Sequence, residues 1–224
     1  METAQERGQS QARDGQGPIA TELGVPFDSI RSLDGLEAQL AALGFEANRN
    51  ALYHQARRGF HFSLHRTTMW LVIAASAATT IAVAQSETTW AHTFALAPAL
   101  LVGADMALGC AHRALQHGLL ARRSLDLAGI IEQATPTDGA VRRCRAAFYA
   151  LITEDAGEYR AVNAVCFNQL LQRIGHDPGR ELVVPPTARW LRHWIRFETT
   201  DFAPRREAMA SASGVVLPSA TPAS

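Results

Sequence analysis

Two stretches of this chain are almost free of charge and lie one after the other. Arg66 and Glu87 bracket Thr67 to Ser86, a run with no charged side chain and the centre MWLVIAASAATTIAVA. A second apolar run follows from Trp90 to His112, interrupted by Pro98 and one acid, Asp105. A helix needs ~20 apolar residues to cross a bilayer core. The connection QSETTW is short enough only for a tight helical turn. The pattern predicts an all-α chain built on a transmembrane helical hairpin, with spans at about 67–86 and 90–112.

Both spans are expected to continue as amphipathic helices. In NRNALYHQARRGFHFSLHR, helical spacing puts Leu52, Tyr53, Ala56, Phe60 and Leu64 on one face and His54, Arg57, Arg58 and His61 on the other. Downstream, Leu115, Leu119, Leu127, Ile130 and Ile131 form a broad stripe. The two-span unit therefore covers 47–133, and its first helix, from about 47 to 84, should be roughly 55 Å long. Residues 1–18 read as a disordered tail. Residues 19–46 read as a short helical region with its own capped helix in SLDGLEAQLAALGFE. TPTDG breaks the chain at 135–139 and offers Thr137 and Asp138 as caps. A docked helical pair follows within 134–178, with Phe148, Leu151, Val162, Cys166 and Leu170 among its apolar positions. A linker and a Trp/Arg helix fill 179–202, and 203–224 reads as a disordered Ala/Ser/Pro-rich tail.

Charge changes the picture in one respect. Lys+Arg and Asp+Glu are both 21, so the net charge is zero, and every basic residue is Arg. A neutral chain lacks the excess positive charge that general nucleic-acid binding needs. Distribution matters more: Arg57, Arg58 and Arg66 precede the first span, Arg113, Arg122 and Arg123 follow the second, and the loop between has none. The positive-inside rule then puts both termini in the cytoplasm, at a bacterial inner membrane. The first residues lack the apolar core of a signal peptide.

The candidate functional residues lie in and beside the spans. Asp105, a carboxylate at membrane depth, is expected either to hold the hairpin in register, paired with Arg66 or protonated, or to join a polar line facing a shared oligomer axis. That line comprises Pro98, Val102, Asp105, Gly109 and His112. Ala74, Ala78 and Ala82 on the first span, and Ala99, Gly103, Ala107 and Ala111 on the second, recur at the spacing that lets helices approach closely. Trp70 and Trp90 suit the two membrane interfaces. Trp190, Trp194, Arg192 and Arg196 suit a helix lying on anionic lipid or docked on the helical core.

Catalytic chemistry is sparse. His61 and His65 have metal-compatible spacing, and His54 is one heptad from His61, but Phe62 stands where a zinc protease has Glu. A zinc site needs four convergent ligands, so polar interfacial histidines account for the set. Cys144 and Cys166 read as core residues, and Glu154, Asp155 and Glu158 as a solvated turn. No phosphate-binding glycine loop, nucleophile elbow or dinucleotide fingerprint is present. The expectation is a non-enzyme without cofactor or metal.

The order of elements carries a resemblance. A helix ending ARRGFHFSLHR, with Tyr53, Ala56, Arg57, Arg58, His65 and Arg66, is followed by a span, a very short loop, a second span and the basic helix LLARRSLDLAGIIEQ. Over roughly 45–175 this resembles the SLATT family of bacterial two-span proteins (SMODS- and SLOG-associating). The resemblance implies an oligomeric, pore-forming membrane effector in defence or phage biology, with no catalytic residues. The family's usual fused sensor has no counterpart, so a protein partner supplying the trigger is implied. The alternative is a membrane-anchored scaffold or adaptor whose cytoplasmic helices bind a partner protein.

Overall fold

Helix propensity and apolar spacing carry through Gly44 and Phe45, so the expected short helix and the first long helix are one. In the computed structural model of the chain, which describes residues 35–86, 88–154, 157–175 and 178–212, helix α1 runs Leu36–Ala84. Its 49 residues extend about 73 Å. No helix break falls at residue 46, and the boundary between the two compact units lies nearby at Arg49/Asn50. Gly44 lies against Ile131, where an added Cβ would make ordinary contact at 3.5 Å from Cγ2. Helices α2 (Thr88–Leu108), α3 (Cys110–Glu132), α4 (Asp138–Thr153), α5 (Arg160–Arg173), α6 (Pro186–Leu191) and α7 (Arg205–Ala212) follow. Among the described residues there is no strand beyond a single bridge, Leu182 to Pro204.

The chain divides into two units, one of residues up to Arg49 together with those from Leu127, the other Asn50–Asp126. In the first, the start of α1, the end of α3 and α4 bury Leu40, Leu43, Leu127, Ile131, Val141 and Phe148 together. Thr137 caps α4 by accepting from the Ala140 N–H, as its sequence position predicts. Helix α5 is apolar on the side that meets Phe45, which sits edge-on to Phe167 at 5.6 Å. Glu46 and Arg49 are both buried and pair at 2.5 Å. Burial raises the Glu46 carboxyl above its ordinary range while Arg49 opposes that rise.

The C-terminal segment is tied to this unit by Asn168. Its side chain donates to the Leu182 carbonyl and accepts from the Leu182 N–H, both at 2.8 Å, as a neighbouring strand would. Phe202 is buried in the same core as Phe167 and Leu182. Residues 205–212 are helical, so the expected disordered tail from 203 is corrected there. The expectations for 1–18 and for 213–224 lie outside the described residues.

The Trp/Arg segment forms a shorter helix than its spacing predicts. Only Pro186–Leu191 is α-helical, and Phe197 adopts a left-handed φ of 55°. Ala188 packs inward, whereas Trp190 is 81% exposed.

Leu43→Ala removes a side chain with no solvent exposure and is expected to cost about 2–5 kcal/mol. Trp190→Ala should change stability by less than about 0.5 kcal/mol. Chemical denaturation of the two variants in mild detergent, followed by circular dichroism, checks the contrast.

Candidate functional site: the polar seam of the hairpin

The unit Asn50–Asp126 is an antiparallel hairpin whose inward positions follow a 3–4 repeat. On α1 they are His54, Arg57, His61, His65, Thr68, Val72, Ala75, Thr79 and Ala82, all buried or half-buried. Such a repeat is the seam of two helices wound on each other. The opposite seam runs through Pro98, Leu101 and Asp105, then Cys110, Ala114, His117, Ala121 and Ser124. It advances five residues between Asp105 and Cys110. Gly109 takes up the extra residue with φ of 60°, which glycine adopts at little cost. Helical bonding continues across it, from Gly109 N–H to Asp105 O and from Arg113 N–H to Gly109 O, both 2.9 Å.

At the tip, α1 ends at Ala84 and Ser86 takes φ of 60°. This centres the hairpin near residue 85 and sets which residues face each other. Asp105 therefore meets His65, whose Nδ1–H donates to Asp105 Oδ2 at 2.7 Å. The expected Asp105–Arg66 pair is corrected. Arg66 is one residue further round the helix, about 100° away, and exposed. Asp105 is buried, its Oδ1 has no hydrogen-bond partner among the described residues, and the buried Cys110 thiol neighbours the same carboxylate.

Toward the chain ends of the hairpin the seam stays polar. Arg57 Nη2 donates to His61 Nε2 at 3.1 Å, which leaves the His61 proton on Nδ1. That buried nitrogen has no partner among the described residues. The His61 and His117 rings stack with centroids 5.7 Å apart. His117 and His54 share a proton between Nδ1 atoms 3.0 Å apart. Beyond them Asn50 Nδ2 donates to Ser124 Oγ at 3.0 Å, and Ser124 donates to the Leu120 carbonyl.

The histidines are neutral in this setting. Burial first, then the Arg57 charge, lowers His54 to about 4. Burial, Arg57 and Arg113 lower His61 to about 4. Burial, then His54, Arg57, His61 and Arg113, lowers His117 to about 3. Among the described residues no three His, Cys, Asp or Glu side chains converge as metal ligands. The guanidinium of Arg57 occupies the lone pair that His61 would offer a cation. The seam is thus a hydrogen-bonded zipper of neutral imidazoles around the Arg57 charge, with one acid–imidazole pair toward the tip.

The remaining sequence candidates separate. Ala82 is buried and Ala78 half-buried in the hairpin, whereas Ala74, Gly103 and Ala107 face outward. His112 is exposed too, so Asp105 and His112 do not share one face. The slip at Gly109 rotates the residues after it. Trp70 and Trp90 are exposed on the apolar helices, and Trp194 is 59% exposed. Arg192 Nε donates to His193 Nε2 at 3.1 Å. Arg196 lies over the Tyr159 ring and 3.6 Å from Glu198. Glu87 lies outside the described residues.

Sequence reasoning assigned His54, Arg57 and His61 to the face away from the apolar stripe and overlooked His117. The structure buries that polar face. The signal was the matching 3–4 spacing of polar residues on both arms. No family model, curated protein or solved structure matches this chain.

Two outcomes are expected. Asp105→Leu or His65→Leu alone leaves a buried polar group without its partner and should lower stability by about 3 kcal/mol, while the double substitution recovers most of it. A double-mutant cycle on thermal melts in detergent measures this. The second concerns pH. Because folding lowers these histidines, the unfolded chain takes up protons at higher pH than the folded one. Stability is full above pH ~6.5 and falls as pH drops toward ~4. Melting temperature against pH should show this slope, and His54→Gln/His117→Gln should flatten it.

Proposed function

We propose that this chain is an integral membrane protein of bacterial or phage origin. Its two-span hairpin anchors a helical unit that serves as a scaffold or adaptor for a partner protein. The observation that carries the reading is the inverted polarity of the two apolar runs. Asp105 turns inward against His65, while Trp70, Ile73, Ile81, Leu96, Leu100 and Met106 are each more than half exposed. Water does not favour that arrangement, and hydrocarbon does. Helices α1 and Thr89–Glu132 are each long and apolar enough to cross a membrane. The arginines at the chain ends of the hairpin support both termini on the cytoplasmic side of the inner membrane. The reading includes no catalysis, cofactor or nucleic acid.

The second reading is the oligomeric effector that the SLATT resemblance implies, acting in a conflict or defence context. Its support is the outward position of Gly103 and Ala107, small residues open to a neighbouring helix. A conducting path through Asp105 then requires that carboxylate to leave His65.

Alkaline carbonate washing of native membranes should leave the chain in the pellet. Recovery in the supernatant as a monodisperse particle without detergent overturns the membrane reading. Planar-bilayer recording separates the two functions. A scaffold gives no conductance in wild type or Asp105→Asn, whereas an effector gives conductance that the substitution alters.

A further inference from the structure

The hairpin has a second continuous face on α2 and α3, opposite the polar seam. On α2 it carries Leu96, Leu100 and Met106, at 61%, 64% and 77% exposure. Gly103 lies among them, and a Cβ there would meet nothing within 4 Å. After the slip at Gly109 the same face continues as Leu115 and Leu119, at 71% and 59% exposure. Leu119 stands about 10 Å along the helix beyond His112, where the expected span ends. The headgroup layer outside the hydrocarbon is only ~5–8 Å deep. Exposed Arg113, Arg122 and Arg123 bracket the two leucines, as expected of a segment in water. Exposed apolar positions therefore run from membrane depth toward the aqueous phase, with Ala111 and His112 between Ala107 and Leu115.

We propose that this face is a self-association surface, covered by the same face of a second, parallel copy of this chain. The proposal rests on the membrane reading above. Lipid covers Leu96 to Met106 but does not reach Leu119. A soluble partner covers Leu115 and Leu119 but does not enter the bilayer. The occupant must be a helix that crosses the membrane alongside α2 and continues into water in the same direction. A second copy related by a two-fold axis along the membrane normal meets both conditions with the same residues. Gly103 and Ala107 then permit close backbone approach where hydrocarbon gives no hydrophobic drive. Leu115 and Leu119 form a dry contact where water does. The small-residue stripes are thus divided: Ala78 and Ala82 close the hairpin, and Gly103 and Ala107 meet the second copy.

The test is oxidative cross-linking of the full chain in phosphatidylcholine proteoliposomes. The native Cys110, Cys144 and Cys166 are buried, so wild type sets a low background. Leu115→Cys and Leu119→Cys should each give a covalent dimer, at least about tenfold above Gln55→Cys, an exposed position on α1. In mild detergent, light scattering should give twice the chain mass for wild type. The mass should be halved for Leu115→Ser/Leu119→Ser with unchanged helical circular dichroism. No cross-link at either leucine, equal cross-linking at Gln55→Cys, or a monomeric wild type overturns the proposal. So does association only with a different co-purifying membrane protein. Carbonate washing of the same preparation keeps the two claims apart. A chain that stays in the pellet without cross-linking defeats the interface alone, and a chain released to the supernatant defeats the membrane reading itself.

Discussion

The bond between His65 and Asp105, 2.7 Å long and part-buried between two helices, fixes more of this structure than any other contact in the hairpin. A carboxylate in a low-dielectric seam is tolerated only against a partner that donates to it. Meeting that demand sets the register of α1 against α2. With Asp105 opposite His65, the histidines one and three turns away fall opposite His117, and Asn50 falls opposite Ser124. A shift by one residue on either helix turns every one of these groups about 100° out of the seam. The apolar positions on the same stretch are small or interchangeable, such as Ala75, Ala78 and Ala82, and discriminate poorly between registers. Polar pairs in a helical seam specify alignment at some cost in stability, and this hairpin is rich in them.

The slip at Gly109 follows from the same requirement. An uninterrupted 3–4 repeat carried from Asp105 arrives near Leu108 and His112. The observed seam resumes at Cys110 and Ala114. One residue in the left-handed conformation restores the phase for His117, Ala121 and Ser124 without breaking the helical hydrogen bonds on either side. It also rotates the outer face, so that Leu115 and Leu119 align with Leu100 and Met106. The inner zipper and the outer apolar stripe are two consequences of one glycine.

The helical unit uses different means. Its core is apolar and closely packed around Leu43, Phe148 and Phe167, and its polar groups act at edges. Asn168 substitutes for a strand in holding Leu182, and Arg160 reaches both Asp201 and the Glu198 carbonyl. Those contacts order a segment whose composition alone favours a loop. The buried Glu46–Arg49 pair joins consecutive turns of α1, so both ions satisfy each other within one helix.

The amino-acid pattern alone carries the all-α class, the two apolar runs, the short turn between them, the Thr137 cap and the break at 135–139. These rest on local signals: length without charge, helical period, and cap and breaker residues. The phase of each helix is set by packing instead. Periodicity shows that α1 has a polar and an apolar face, but in an environment that can be water, lipid or protein it does not say which face turns inward. Leu52 and Phe60 accordingly drew the sequence reading to one side, while pairing with α3 buried His54 and His61 on the other. The choice of His65 over Arg66 was likewise out of reach, because it depends on where the first helix ends, at Ala84. Which residue meets Asp105 is counted from that tip along both arms.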